Sequence, residues 1–185
     1  MIGAVNLSQG FDSDYFWQIQ KLESRNFWFC SRNRLILWAL KKFFPQMKSF
    51  LEVGCGTGFV LSAIEKSFPE TQISGSDLFS EGLSFAKKRL KNASLFQMDA
   101  RQMPYREEYD VIGAFDVLEH VLEDECVLNQ FHQGLKKGGG LILTVPQHAW
   151  LWSSQDEVAC HKRRYTCEEL TIKLKKSGFR MVWVS

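Results

Sequence analysis

Phe50-Leu51-Glu52-Val53-Gly54-Cys55-Gly56-Thr57-Gly58-Phe59-Val60 is the stretch that decides the fold. Apolar residues lead into three alternating glycines, and Phe59, Val60, Leu61 and Ile64 then return at helical spacing. The pattern describes a buried strand, a tight turn and a helix. Glycine in such a turn permits backbone angles that a side chain forbids, and it lets a ligand lie against bare backbone. The same geometry aims free N–H groups and a helix N-terminus at one place. Glu52 stands two positions before the first glycine, where the strand ends. A carboxylate there suits a cationic ligand group better than a phosphate.

The spacing is G-x-G-x-G. It lacks the third-glycine offset of the dinucleotide fingerprint, and no Lys-Ser/Thr follows as in a phosphate loop. A plain tight turn is the competing reading. The stretch resembles the first motif of class I S-adenosylmethionine-dependent methyltransferases. That resemblance implies S-adenosylmethionine as cofactor and S-adenosylhomocysteine as product, with Glu52, Gly54, Gly56 and Gly58 at the cofactor.

A chain of 185 residues suits one domain with a real core. Hydrophobic residues make up 45% and charged residues 24%, as in an ordinary globular protein. A net charge of +2 calls for no particular partner and gives no indication of nucleic acid. No apolar run is long enough to span a bilayer, and the first residues show no signal pattern. The five cysteines are odd in number and contain no C-x-x-C pair. Free buried thiols in a reducing cytoplasm are expected. Cys160, His161, Cys167 and His148 match no common zinc spacing, so no metal site is expected.

Working outward, residues 1–10 show no periodicity and read as a loose end. Tyr15, Phe16, Trp17, Phe27, Trp28 and Phe29 crowd the next stretch, with Ile19 and Leu22 at helical offsets from Phe16. A helix is expected from near Ser13, fraying around Asn26. Its aromatics either pack onto the core or form a lid over cofactor and substrate, as N-terminal helices do in similar methyltransferases. Residues 1–48 are accordingly read as N-terminal helices and 49–185 as the cofactor-binding domain. A second helix is expected over residues 32–44, capped by Ser31, with Leu35, Ile36, Trp38, Ala39 and Phe43 on its apolar face. Pro45 ends it.

After the glycine turn its helix runs to about Phe68. The next strand, 72–76, ends at Asp77, about 20 residues past the turn, as expected of an acid that accepts from two ribose hydroxyls. Leu78 follows at the cofactor. Ser80 is the expected cap for a helix over 81–91. Residues 93–97 form a short third strand followed by Asp99 and Ala100. In the resembling family an acid at this position accepts from the adenine amino group. Residues 109–115 are a buried fourth strand. The run Asp116 to Val121 resembles the segment in which a strand-end residue, Phe115 or Asp116 here, touches the methionine part of the cofactor. His120 reads as a base or a shaping residue.

A helix over 124–135 buries Cys126, Val127, Leu128 and Phe131, and Gly138-Gly139-Gly140 stops it. A fifth strand is expected over 141–145. The loop that follows is long, polar, aromatic and basic, which marks it as functional. Its run from Asp156 to Tyr165 resembles a segment in a subgroup of bacterial methyltransferases. His148, Trp150, Trp152, His161, Arg163, Arg164 and Tyr165 are its acceptor-site candidates, with ion pairs from Arg163 and Arg164 to Asp156 or Glu157 as the alternative. Thr166 and Glu169 form a capping box for the last helix. A sixth strand is expected over 180–184. No sequence remains for the antiparallel seventh strand that the resembling family inserts between the fifth and sixth. The chain is then truncated, or a partner fills the gap, or the gap stays open. An unpaired edge invites association, so a homodimer is one expected state.

Alternating strands and helices give an open, mostly parallel, doubly wound α/β sheet of Rossmann-like methyltransferase type. The implied chemistry is methyl transfer to O, N or C of a small molecule, which needs no metal. His120 and His148 are the candidate bases. The aromatic and basic residues suggest a lipid- or sugar-linked acceptor. Two rivals stand beside this reading. One is a protein that binds S-adenosylmethionine or S-adenosylhomocysteine without turnover; the other is a dinucleotide oxidoreductase.

Overall fold

The computed structural model describes residues 14–184. The expected loose end and the helix start at Ser13 lie outside them. Two N-terminal helices come first: α1 (Asp14–Leu22) and α2 (Phe27–Phe43). Then follow β1 (Ser49–Val53), α3 (Phe59–Ser67), β2 (Gln72–Asp77), α4 (Ser80–Arg89), β3 (Ser94–Gln97) and β4 (Tyr109–Phe115). A 3-10 turn (Leu118–His120), α5 (Asp124–Gly134) and β5 (Leu135–Thr144) come next. A second 3-10 turn (Ala149–Leu151), α6 (Ser154–Val158) and α7 (Cys167–Lys176) complete the order.

The five strands pair in the order β3-β2-β1-β4-β5, all parallel. Helices cover both faces, so the central strands are buried throughout, as parallel sheets require. Two apolar clusters result. One joins Leu51, Val53, Ile112, Val127, Leu128 and Phe131. The other joins Ile36, Leu40, Phe50, Leu61, Ile64 and Val111. Phe50 is wholly buried and belongs to the face that carries α2 and α3.

Several boundaries differ from expectation, each for an identifiable reason. Helix α2 begins five residues earlier, because the Asn26 side chain, not Ser31, accepts from the Trp28 N–H at 2.9 Å. Its buried face is Asn33, Ile36, Ala39 and Leu40, while Leu35 and Trp38 are exposed. Trp38 instead meets Phe43 and Trp183 edge-on or tilted. Phe79, not Ser80, is the N-cap of α4, and it makes no side-chain cap. Asp77 satisfies the Phe79 N–H in its place, at 2.9 Å. Helix α5 leaves Cys126 exposed and stops at Gly134. Strand β5 starts at once, so Gly138, Gly139 and Gly140 lie inside a strand rather than ending a helix. Gly140 is there because the Phe44 ring occupies the space a Cβ would need. All five thiols are free, but only Cys55 is buried.

Residues 180–184 form no strand. A sixth strand of this topology reaches β5 only through an intervening seventh, and among the described residues no such neighbour exists. Without a partner the segment has no ladder to join. Its Trp183 ring rests on Trp38 and Phe43.

Truncating Phe50 to Ala should remove about 3–5 kcal/mol of stability through lost burial and a residual cavity. The check is urea unfolding, with a lower midpoint and an unchanged slope.

Candidate active site

The strand order decides which loops meet. At the carboxyl edge of the sheet the ends of β3, β2, β1 and β4 follow one another in space. Asp99, Asp77, the glycine turn and Asp116 therefore stand in a row. The chain leaves β1 toward one side and returns to β4 on the other, which creates the crevice where open α/β sheets bind ligands.

Gly54, Gly56 and Gly58 all have positive φ, at +73°, +50° and +74°, so the turn needs glycine at each. Asp77 faces this turn. Its Oδ2 accepts from the Gly56 N–H at 2.8 Å, and its Oδ1 from Phe79 N–H. Burial pushes the Asp77 carboxyl upward, and these amides pull it back. A carboxylate has about four acceptor sites, so two remain for hydroxyl donors. Leu78 is held close by: Gln97 Nε2 donates to Leu78 O at 2.7 Å, and Met98 N–H to Asp77 O at 3.0 Å; Ala100 follows Asp99 after β3. Asp99 is gripped by Arg101, whose Nε and Nη2 reach its two oxygens at 3.0 and 2.7 Å. That fork holds the Asp99 carboxyl below its usual range. An adenine amino group would meet Asp99 beside Arg101.

The turn is not bare. The Phe16 ring of α1 lies 3.6 Å from where a Gly56 Cβ would sit, and it also covers Gly82. Phe16 is 5% exposed, whereas Trp17, Phe27 and Trp28 are exposed. Of these four rings, Phe16 covers the turn and the other three face outward. Helix α1 is followed by a buried polar clasp. Glu23 accepts from the Thr57 hydroxyl at 2.7 Å and pairs with Arg89.

Sequence reasoning missed Arg32. It projects from α2 into the crevice and pairs with Asp116. Glu52, Glu119 and Glu23 also act on it electrostatically, while burial lowers its pKa. Its Nε and the Oε2 of Glu52 are both buried without a hydrogen-bond partner. Burial raises the Glu52 carboxyl well above the usual range, opposed by Arg32. Asp116 adopts a left-handed φ of +58° and is held by Thr144 Oγ1 at 2.7 Å. Phe115 turns its ring into the core against Phe50 and Gly113, so it offers the crevice backbone only. Arg32 shares its helix with Arg34, Lys41 and Lys42, so nothing local in the sequence singles it out.

The loop after β5 is more ordered than its composition suggests. Asp156, 1% exposed, takes a two-pronged pair from Arg164 at 2.7 and 2.8 Å. Arg163 pairs with Asp124 at 2.9 Å, and the buried Tyr165 hydroxyl donates to the same carboxylate at 2.9 Å. Arg163, Arg164 and Tyr165 are therefore structural and leave the pool of acceptor-site residues. His148 has φ +62° and stacks on the exposed Trp150. His120 sits in the 3-10 turn, its ring 4.8 Å from that of His161. Burial first, then His161 and Lys162, press the His120 pKa down to about 4, so it is a neutral imidazole at neutral pH. Glu119, fully buried, is raised to about 8 by burial.

A family model described as "Methyltransferase domain" matches residues 23–184. Over 115 residues the chain is 28% identical to malonyl-[acyl-carrier protein] O-methyltransferase of Priestia megaterium, covering 61% of this chain and 42% of that one. It is 30% identical over 103 residues to dTDP-3-amino-3,4,6-trideoxy-alpha-D-glucopyranose N,N-dimethyltransferase of Streptomyces venezuelae, covering 54% and 43%. The match thus spans less than half the length of these curated relatives. Phosphoethanolamine N-methyltransferase 2 of Haemonchus contortus, solved in complex with S-adenosyl-L-methionine, superposes with a TM-score of 0.76. That superposition covers 96% of this chain and 45% of the other at 20% identity, a likeness of fold.

Glu23→Ala should release α1. Hydrogen exchange across residues 14–22 is expected to rise toward loop values while β1 and β4 stay protected.

Proposed function

The chain belongs to the class I S-adenosylmethionine-dependent methyltransferase family, and we propose that it moves the methyl group of that cofactor to O, N or C of a small molecule. The observation that carries this reading is the unmatched pair at the crevice. Arg32 Nε is a buried donor and Glu52 Oε2 a buried acceptor, each without a partner. A buried unsatisfied polar group costs ~1–3 kcal/mol, so such a pair points to a ligand that satisfies both. An amino acid carries the complementary groups on one carbon: its carboxylate meets Arg32 and its ammonium meets Glu52. Asp77 has two acceptor sites left for vicinal hydroxyls, and Asp99 stands beyond it for the base. The row thus fits an amino acid, a ribose and an adenine in that order.

S-adenosylmethionine supplies an electrophilic methyl on a sulfonium. The chain's own residues bind, orient and exclude water. Asp116, held by Arg32 and Thr144, sits at the end of β4 beside the amino-acid end. Phe16 closes the crevice from α1. Residues 1–48 serve in this reading as the lid and 49–185 as the binding domain. Correct alignment of two reactants accounts for most of the rate in such transfers. A hydroxyl acceptor needs a base with a suitable pKa. His120, with its pKa pressed down to about 4, is a weak base at working pH, which leaves His148 as the candidate for that role.

The relatives named above act on malonyl-acyl-carrier protein and on a nucleotide-linked amino sugar. The exposed Trp150 and Trp152 flank the same edge here. They suit an acceptor with an apolar or flat portion, such as a lipid- or sugar-linked intermediate.

Calorimetric titration with S-adenosylhomocysteine should show binding. Asp77→Ala and Arg32→Ala should each weaken it about tenfold or more, ~1.4 kcal/mol. Folding is checked by thermal melting of each variant. Unchanged affinity in both would remove the proposed site. Binding without transfer of labelled methyl to any pooled metabolite would favour a protein that holds the cofactor without turnover.

A further inference from the structure

Outside the proposed cofactor row, three groups converge that the methyl-transfer reading does not use. Glu119 and His120 lie in the 3-10 turn after β4, and His161 lies in the loop after β5. One ligand atom of each falls within 4.8 Å of the others. Glu119 has no exposed surface, and neither of its carboxylate oxygens has a hydrogen-bond partner. Arg32 acts on it electrostatically but makes no hydrogen bond to either oxygen.

His161 sharpens the puzzle. Its Nδ1 is 2.8 Å from Asp156 Oδ1. Asp156 is a carboxylate held by Arg164, so it can only accept, and Nδ1 must carry the proton. The Nε2 lone pair then points away from Asp156. It stands 4.0 Å from Glu119 Oε1. Glu119 Oε1 and His161 Nε2 thus face each other with no hydrogen bond between them. Their separation is too long for a hydrogen bond. A cation between them would satisfy both, since metal–nitrogen and metal–oxygen bonds of about 2.0–2.2 Å span such a gap. His120 supplies the third donor. Its ring also makes hydrogen bonds with the backbone of Ala159 and Cys160, which fix its orientation. Both imidazoles are therefore held from behind, one by a carboxylate and one by main chain, as ligating histidines are.

We propose that Glu119, His120 and His161 form a binding site for a divalent transition-metal ion of the zinc type. Two imidazoles and one carboxylate suit zinc, with manganese or iron as weaker occupants. Three protein ligands leave one position open. The ion ties the turn after β4 to the loop after β5, so it orders the acceptor side of the crevice. The open position faces an anionic or carbonyl oxygen of whatever docks there.

The test uses the full chain, stripped with a chelator and titrated with Zn2+ alone by calorimetry. One ion per chain is expected. Glu119→Gln and His161→Asn should each lower affinity at least tenfold, and Asp156→Asn, acting from behind His161, about ten- to a hundredfold. Because Asp156→Asn also breaks the Arg164 pair, His120→Asn provides a second ligand variant, and thermal melts identify any that unfold. Co2+ substitution reads the donor set. A spectrum without thiolate-to-cobalt charge transfer supports the nitrogen–oxygen site. A strong thiolate band, the absence of binding, or undiminished binding by folded Glu119→Gln and His161→Asn would overturn it. S-adenosylhomocysteine affinity, measured alongside, separates failure of this site from failure of the cofactor reading.

Discussion

A guanidinium buried among carboxylates governs the carboxyl edge of this sheet. Glu52, Asp116 and Glu119 end or follow the two central strands; Asp116 is only half-buried, while the two glutamates are drawn out of water by the helices above them. Unopposed, their repulsion and desolvation would push each toward its protonated form. Arg32 lies between them, paired with Asp116 and felt by both glutamates. It comes from α2, outside the alternating strand–helix pattern. The N-terminal helices are thus part of the site's charge balance as well as its covering. Such an ion cluster is poor insurance for stability, because desolvation consumes most of the attraction. Its retention makes better sense as a means of keeping polar atoms poised for a ligand.

Two sides of the crevice are held in different ways. On the cofactor side the covering element is short. Helix α1 has nine residues, seals the glycine turn with one ring, and is anchored through Glu23 to Thr57 and Arg89. Few contacts must break for it to swing. On the other side, two polar clusters hold the loop after β5: Arg164 and His161 on Asp156 within the loop, and Arg163, Tyr165 and Lys173 on Asp124, which tie it to α5 and α7. A lightly anchored wall facing a firmly tied one would allow ligand entry without loss of alignment, as loop-gated enzymes require.

What could be read from residues alone follows from the range of the interactions concerned. The glycine turn, β2 ending at Asp77 and the Thr166–Glu169 capping box were legible because each is encoded within a few residues. The start of α2 was misplaced by competition between two local caps, Asn26 and Ser31, which only packing decides. Gly138–Gly140 read as a helix stop because glycine usually interrupts. Here Gly140 makes room for Phe44, a residue nearly a hundred positions earlier in the chain. The last expected strand failed for a similar reason: pattern predicts a strand, but only a neighbour makes one. Arg32 was invisible as a site residue because its three acidic neighbours come from distant segments. For Arg164 the alternative of an ion pair with Asp156, eight residues away, was already open in the sequence and proved correct.

Glu119 and His120 follow β4 directly, and β4 pairs with both β1 and β5. The segment after β4 therefore reaches the proposed cofactor row through Asp116 and the ordered loop through Glu119, whose carbonyl accepts from the Lys162 N–H at 2.7 Å. Any displacement of Arg32 when a charged ligand enters changes the field at Asp116 and Glu119 together. Through Glu119 that change reaches His161 and the loop beyond. Coupling of this kind needs no long relay, because the two sites share adjacent residues on one turn. Such a link between sites is a difference in interaction energy, and it acts equally in both directions. Under the two proposals, occupancy of either half of the crevice would bear on the other through four residues of backbone.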